Sequence, residues 1–288
     1  MVLRRRIGSI VLTAASTAAA LSGLTACEPP DTYVALGDSY TAGPLIWEQS
    51  SEPLGCLRSN RNYPSVVAPR IRAAKFTDVS CSGAQTKHLT EVQGVSPGPN
   101  APQLDAVGLS TKVVTVGIGG NDIGFSGIVQ GCVAFTPWER GCRGDYLVGG
   151  RDLLAERISA TAPKIDAVLA EIKRRAPLAR VFVVGYPALL PESGGGCWPI
   201  VPMVSGDVSY LRDTEKRLNA MLSERAAAAG ARYVDLYTPS IGHDMCSSSR
   251  WVEPILPGTD AAPVHPNATG MRNFADVVAA EINAIVTS

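Results

Sequence analysis

Four residues in this 288-residue chain have side chains or positions that could act together on an ester, although they lie far apart along it. Ser39 sits in "YVALGDSYTAG", where an apolar run stops at a glycine and an aspartate. Gly83 sits in "SGAQT", Asn121 in "GIGGND" and His265 in "VHPN". Cleaving an ester needs an activated hydroxyl, a base that takes its proton, and donors for the oxygen that becomes negative. Ser39 offers the hydroxyl. His265 is the best base, because imidazole accepts and returns a proton near neutral pH. The backbone N–H of Gly83, the side-chain amide of Asn121 and the backbone N–H of Ser39 are the candidate oxyanion donors. Each of these residues alone is an ordinary turn residue. The chemistry exists only if they meet.

The other histidines fit the task less well. His88 follows the Gly83 turn in a polar segment, and His243 lies in "GHDMC" beside a cysteine. We assign His243 and Asp244 to structure or to the rim of a cleft. The stretch "GIGGND" resembles a dinucleotide loop only superficially. Its sixth position is Asp122 rather than glycine, and residues 126–150 after it read as a cysteine-bearing loop rather than a helix. No G-x-S-x-G occurs, so the strand-to-helix nucleophile elbow of another hydrolase class is absent.

The elements that must position these residues alternate. Apolar runs predict strands at 32–37, 179–187 and 231–237, and a strand running into a glycine turn in each of 76–86 and 111–122; the run at 179–187 is nearly continuous in β-branched residues, as when both faces are buried. Helical spacing is found at 62–74, with Pro69 as a kink, and at 151–176, with a break expected near Pro163. It recurs at 207–230, closed by Gly230, and at 267–286, with Asn267 as N-cap. Alternating strands and helices predict a three-layer α/β/α domain around a mainly parallel, five-stranded sheet. In such sheets ligands sit beyond the strands' carboxyl ends. Ser39, Gly83 and Asn121 each follow a predicted strand, which puts three separate turns on one rim. Residues 44–60 and 124–150 read as long loops. Their Trp47, Phe125, Phe135 and Trp138 either line an acyl pocket or fill core beneath those loops.

Bulk properties narrow the classes further. Hydrophobic residues make up 45% of the chain and charged ones 18%, enough apolar surface for a sizeable core. Basic and acidic side chains balance at 26 each, and no basic block follows the first few residues, so a nucleic-acid partner is not expected. The N-terminus reads as a targeting segment: Arg4, Arg5 and Arg6 precede an apolar stretch that ends in "LTAC". That ending resembles a bacterial lipobox, giving a signal peptide over 1–26, a lipidated Cys27 with a short tether over 27–31, and a domain over 32–288. The alternative is a simple secretory signal with a chance cysteine. Two acyl chains would anchor the chain stably where one would not. Apart from Cys27, six of the seven cysteines remain, an even number in an exported chain, which suggests disulfides. They are Cys56, Cys81, Cys132, Cys142, Cys197 and Cys246. Cys132 and Cys142, in one segment, make the best local pair, and the rest stay open. No C-x-x-C occurs, which disfavours a zinc site of the usual spacing.

Taken in order, "GDSYTAG", "SGAQT", "GGND" and "HPN" resemble the four blocks of the SGNH, or GDSL-type, hydrolase superfamily. "GYPALLP" and the six-cysteine layout are similar to its secreted actinobacterial lipases and esterases. The resemblance implies a flavodoxin-like SGNH fold and a carboxylic ester hydrolase acting through an acyl-serine intermediate. Ser39 and His265 would be catalytic, with Ser39, Gly83 and Asn121 as the oxyanion hole. It implies the pairs Cys56–Cys81, Cys132–Cys142 and Cys197–Cys246, no metal or organic cofactor, an ester or lipid substrate, and a monomer. One position departs from the pattern: Ala262 stands three before His265, where the family commonly has aspartate, and Asp260 stands five before. Either a main-chain carbonyl from 260–263 supports a Ser–His dyad, or Asp260 completes a triad. A cell-envelope deacetylase or phospholipase of the same fold, and a non-catalytic ligand-binding lipoprotein, are the alternatives.

Overall fold

The computed structural model describes residues 32–286; the signal segment and Cys27 lie outside the described residues. Five parallel strands form the central sheet: β1 (Thr32–Gly37), β2 (Lys75–Asp78), β3 (Val113–Gly117), β4 (Arg180–Val184) and β5 (Arg232–Val234). Their spatial order is β2-β1-β3-β4-β5. The winding therefore reverses between β1 and β3, and such a switch point opens a crevice beyond the strands' carboxyl ends. In register, Gly37 of β1 lies beside Gly117 of β3. Ser39 and the "GGND" turn thus leave the sheet from adjacent strands.

Strand alternation sorts the core into two sides. Val34 and Leu36 of β1 join Val114 and Val116 of β3 in one cluster, and Tyr33 and Ala35 point into the other. The first side is covered by two long helices, α4 (Leu153–Arg175) and α5 (Ser205–Ala228). The second side is covered by α2 (Tyr63–Arg70) and α6 (Ala268–Val286). Asn267 caps α6, accepting the N–H groups of Thr269 and Gly270 at 3.0 and 2.9 Å, and Gly230 turns the chain after α5 at φ 67°. Two short helices flank the carboxyl ends of the strands, α1 (Ser39–Ala42) and α3 (Phe125–Gly131).

Two expectations need correction. α4 runs unbroken through Pro163. Pro163 and Ser159, whose carbonyl the missing N–H would have bonded, both lie on the exposed face, while Ile158, Thr161, Ile165 and Leu169 bury the opposite face around them. Packing of that stripe outweighs one lost bond. The 124–150 segment is also more ordered than a loop: it holds α3, a helical turn at Arg143–Tyr146, and a small ribbon pairing Leu147–Val148 with Arg151–Asp152. Gly127 and Gly131 depress helix propensity in α3, but Phe125, Ile128 and Val129 share one face and pack inward. Three disulfides, Cys56–Cys81, Cys132–Cys142 and Cys197–Cys246, fasten these peripheral segments. Among the described residues no helix is long and apolar enough to cross a membrane.

Candidate active site

The turn after β1 is built around a close approach. A Cβ on Gly37 would fall 2.2 Å from Thr41 Oγ1 and 2.7 Å from the Gly117 carbonyl, so only glycine lets the chain turn here. Asp38 then donates its N–H to Gly117 O at 3.0 Å, stitching the turn to β3. Its carboxylate caps α1: Oδ1 accepts the Tyr40 N–H at 2.9 Å. Ser39 follows as the first residue of α1, and among the described residues its backbone N–H has no acceptor.

The serine hydroxyl meets the expected imidazole. His265 Nε2 lies 2.8 Å from Ser39 Oγ, and His265 Nδ1 lies 2.7 Å from the carbonyl oxygen of Pro263. A carbonyl only accepts, so in the neutral ring Nδ1 carries the proton and Nε2 is left as the acceptor facing the hydroxyl. That is the tautomer a general base needs. Burial holds the imidazole below its ordinary value of 6.5, against an opposing contribution from the Pro263 carbonyl, which keeps the ring neutral at neutral pH.

The backbone behind the histidine is strained into place. Val264 has φ 61°, a conformation β-branched residues rarely adopt. The surrounding contacts hold it there: Val264 N–H donates to Glu253 O at 3.0 Å, and Val264 O accepts from the Tyr40 hydroxyl at 2.6 Å. The Tyr40 ring also lies against the imidazole, centroids 4.9 Å apart. Asp260, the candidate third member, is turned away: its Oδ2 accepts the exposed Trp47 N–H at 3.1 Å. The group behind the imidazole is a main-chain carbonyl.

The other two turns are clamped to each other. Asn121 Nδ2 donates to Ala84 O at 2.9 Å, and Gln85 Nε2 donates to Asn121 O at 3.0 Å. Asp122 accepts from Thr86 N and Thr86 Oγ1 at 2.9 and 2.6 Å. Asn121 keeps a second amide hydrogen, and the backbone N–H of Gly83 (φ 77°) has no acceptor among the described residues. His88 and His243 are used elsewhere. His88 Nδ1 accepts the Gln85 N–H at 3.0 Å, and His243 stacks on Trp251 with centroids 4.1 Å apart. Asp244 Oδ1 accepts the Cys246 N–H at 2.9 Å, beside a disulfide.

Sequence reasoning missed a buried network under the serine. Asp38 Oδ2 accepts from the Tyr186 hydroxyl at 2.6 Å, and that hydroxyl accepts the Gly120 N–H at 2.8 Å. The backbone of Tyr186 is gripped by Asn219 of α5, which accepts from its N–H and donates to its carbonyl at 2.8 and 2.9 Å. One tyrosine thus joins the ends of β1, β3 and β4. Burial pushes the Asp38 carboxyl from 3.8 up to about 7, with the Tyr186 and Tyr40 hydrogen bonds pulling the other way. The adjacency of Asp38 to Ser39 was the available signal.

Beside the Ser39–His265 pair opens an apolar pocket. Phe125, Ile128 and Val129 of α3 line it, together with Leu189, Met203 and Leu218. Of the four aromatic residues considered for such a pocket, only Phe125 lines it. Trp47, Phe135 and Trp138 are exposed on the surface.

A flavodoxin-like sheet with a hydroxyl, an imidazole and an apolar pocket at its switch point defines a class, the three-layer α/β/α hydrolases. Residues 35–272 match the family model described as GDSL-like Lipase/Acylhydrolase. The chain is 38% identical over 288 residues to Lipase 2 of Streptomyces coelicolor, covering 95% of each. It also superposes on the crystal structure of the extracellular lipase from Streptomyces rimosus, with TM-score 0.68 and 28% identity, over 86% of this chain and 98% of that one. Phospholipase A1 from Streptomyces albidoflavus is similar at TM-score 0.70 and 26% identity, over 88% and 99%. The chain belongs to the GDSL-like lipase/acylhydrolase family. It is a carboxylic ester hydrolase, which sets aside a non-catalytic lipoprotein.

Proposed function

We propose that the protein is an exported lipase or esterase that cleaves lipid or small acyl esters through an acyl-serine intermediate, using a Ser39–His265 dyad. The 2.8 Å contact between Ser39 Oγ and His265 Nε2 carries this reading. Nε2 takes the hydroxyl proton as Oγ attacks the ester carbonyl. The tetrahedral oxyanion is held by the N–H of Ser39, the N–H of Gly83 and the side-chain amide of Asn121. The imidazolium, its Nδ1–H on Pro263 O, then protonates the leaving alcohol. Water attacks the acyl-serine with Nε2 as base, and the acid departs. These steps require no metal or cofactor.

The apolar lining of the pocket favours an acyl chain of several carbons over an acetyl group. Similarity to a phospholipase A1 supports a second reading, in which the ester belongs to a phospholipid. Export is supported by the arginine-led apolar N-terminus and by three disulfides. Cys27 in "LTAC" would carry the lipid anchor.

A serine-directed phosphonate and a nitrophenyl ester series test the assignment. The wild type should be labelled once and turn over the esters, and Ser39→Ala should do neither. Labelling and turnover that persist in Ser39→Ala would overturn it. Phosphatidylcholine beside the nitrophenyl esters separates phospholipase from esterase.

A further inference from the structure

Two carboxyl groups line the largely apolar pocket, Asp38 beneath the serine and Glu215 on its α5 wall. Leu211, Glu215 and Leu218 lie on one face of α5, three and four residues apart, and all three line the cavity. Thr214, beside them, spends its hydroxyl proton on Tyr210 O at 2.8 Å. Glu215 does not spend its own. It is only 8% exposed, and Oε2 accepts the Leu189 N–H at 3.3 Å. Oε1 has no hydrogen-bond partner among the described residues. A buried polar atom without a partner is rare and costs stability. Here it belongs to a residue that lines the cavity beside Ser39 and His265.

The chemistry of the missing partner follows from the state of the group. Burial pushes the Glu215 carboxyl well above its ordinary value of 4.5, which favours the protonated acid. The Leu189 N–H marks Oε2 as the carbonyl oxygen and leaves the proton on Oε1. A neutral acid offers one donor and a spare acceptor lone pair a short distance apart. An alcohol matches both: its oxygen accepts from Oε1–H while its own proton goes to Oε2. A cation would have to shed its water among leucines and methionines and ionise the acid as well, which the pocket disfavours.

We propose that Glu215 is a hydrogen-bonding subsite within the acyl pocket, selecting hydroxylated acyl chains over plain hydrocarbon chains of the same length. This rests on the acyl-serine reading above, since the chain must be held with its carbonyl at Ser39. A site built to bond a hydroxyl discriminates against the analogue lacking it, because its own polar group is then left unpaired.

Nitrophenyl decanoate and isomers with one hydroxyl moved along the chain test the proposal, with nitrophenyl butyrate as a short reference. In the wild type, one isomer should exceed plain decanoate in kcat/KM by about tenfold or more. Glu215→Leu should abolish that preference and raise turnover of plain decanoate. Glu215→Gln, which keeps a donor, should retain part of the preference. Glu215→Met takes the place of the leucine variant if that variant does not fold. Two outcomes would overturn the subsite alone: butyrate turnover with no isomer preferred by the wild type, or a preference undiminished by Glu215→Leu or Glu215→Met. Failure of the wild type to hydrolyse butyrate would overturn the esterase reading, and the subsite with it.

Discussion

Replacing Asp260 with asparagine should leave ester hydrolysis within about threefold of wild type, because nothing about its contacts reaches the imidazole. Its Oδ2 accepts the Trp47 N–H at 3.1 Å at an exposed site, and asparagine keeps an oxygen for that bond. The acceptor behind His265 is the Pro263 carbonyl at 2.7 Å, which the substitution leaves in place. A triad carboxylate behaves very differently. Exchanging one for an amide costs about 10⁴ in kcat, roughly 5.5 kcal/mol of transition-state stabilisation, since the ring is then held in the wrong tautomer. The two outcomes differ by more than three orders of magnitude, so the measurement is decisive. Purified wild type and Asp260→Asn would be titrated with a phosphonate to count active sites. Their kcat/KM on nitrophenyl butyrate would then be compared at pH 7 to 8. A fall of a hundredfold or more at full active-site occupancy would refute the carbonyl-backed dyad and point to Asp260 reaching the imidazole during catalysis.

Three further outcomes follow from the same geometry. Asn121→Ala should lower kcat by about 10²–10³ with little change in KM, since the proposed role of its amide is to bond the oxyanion rather than the ground-state ester; a loss in KM alone would contradict that role. His265 must be neutral to act as base, and burial lowers its pKa from 6.5, so kcat/KM should fall with acid along a limb centred below pH 6.5. The same limb in Asp38→Asn would assign it to the histidine, and a midpoint above 6.5 would oppose the burial argument. Asp38 itself has a folded pKa raised from 3.8 to about 7, so its contribution to stability is fully present below pH 3.8 and is lost as pH rises through 7. At about 1.4 kcal/mol per unit, urea denaturation should show Asp38→Asn gaining about 2.5 kcal/mol on wild type between pH 5 and pH 8. Parallel profiles would mean the carboxyl is ionised throughout.

Some of this molecule is legible residue by residue. Strand alternation such as Tyr33, Val34, Ala35 and Leu36 is a local property of side chains, and it already sorts the two faces of the sheet. The cap at Asn267 and the turn at Gly230 are equally local. Helix α3 was obscured because its glycines weaken a signal that only contact with the core restores, and Pro163 misled because helix stability there comes from tertiary packing. The aromatic residues of the long loops could not be sorted in advance, since composition does not say which side of a loop faces inward.

The order of polar turns along the chain was enough to establish that a hydroxyl, an imidazole and candidate oxyanion donors exist, because residue type and strand ends are written locally. The meeting of the Ser39 hydroxyl with the His265 imidazole was decided by the tertiary structure. Adjacent placement of β1 and β3 puts Ser39 near Asn121, and a strained torsion at Val264 turns the Pro263 carbonyl, rather than a carboxylate, toward His265. The Asp38–Tyr186–Gly120 network and the unpaired oxygen of Glu215 likewise join or isolate residues far apart in sequence. Hydrogen bonds and burial depend on what the folded backbone brings within about 3 Å, and no spacing along a chain encodes that distance.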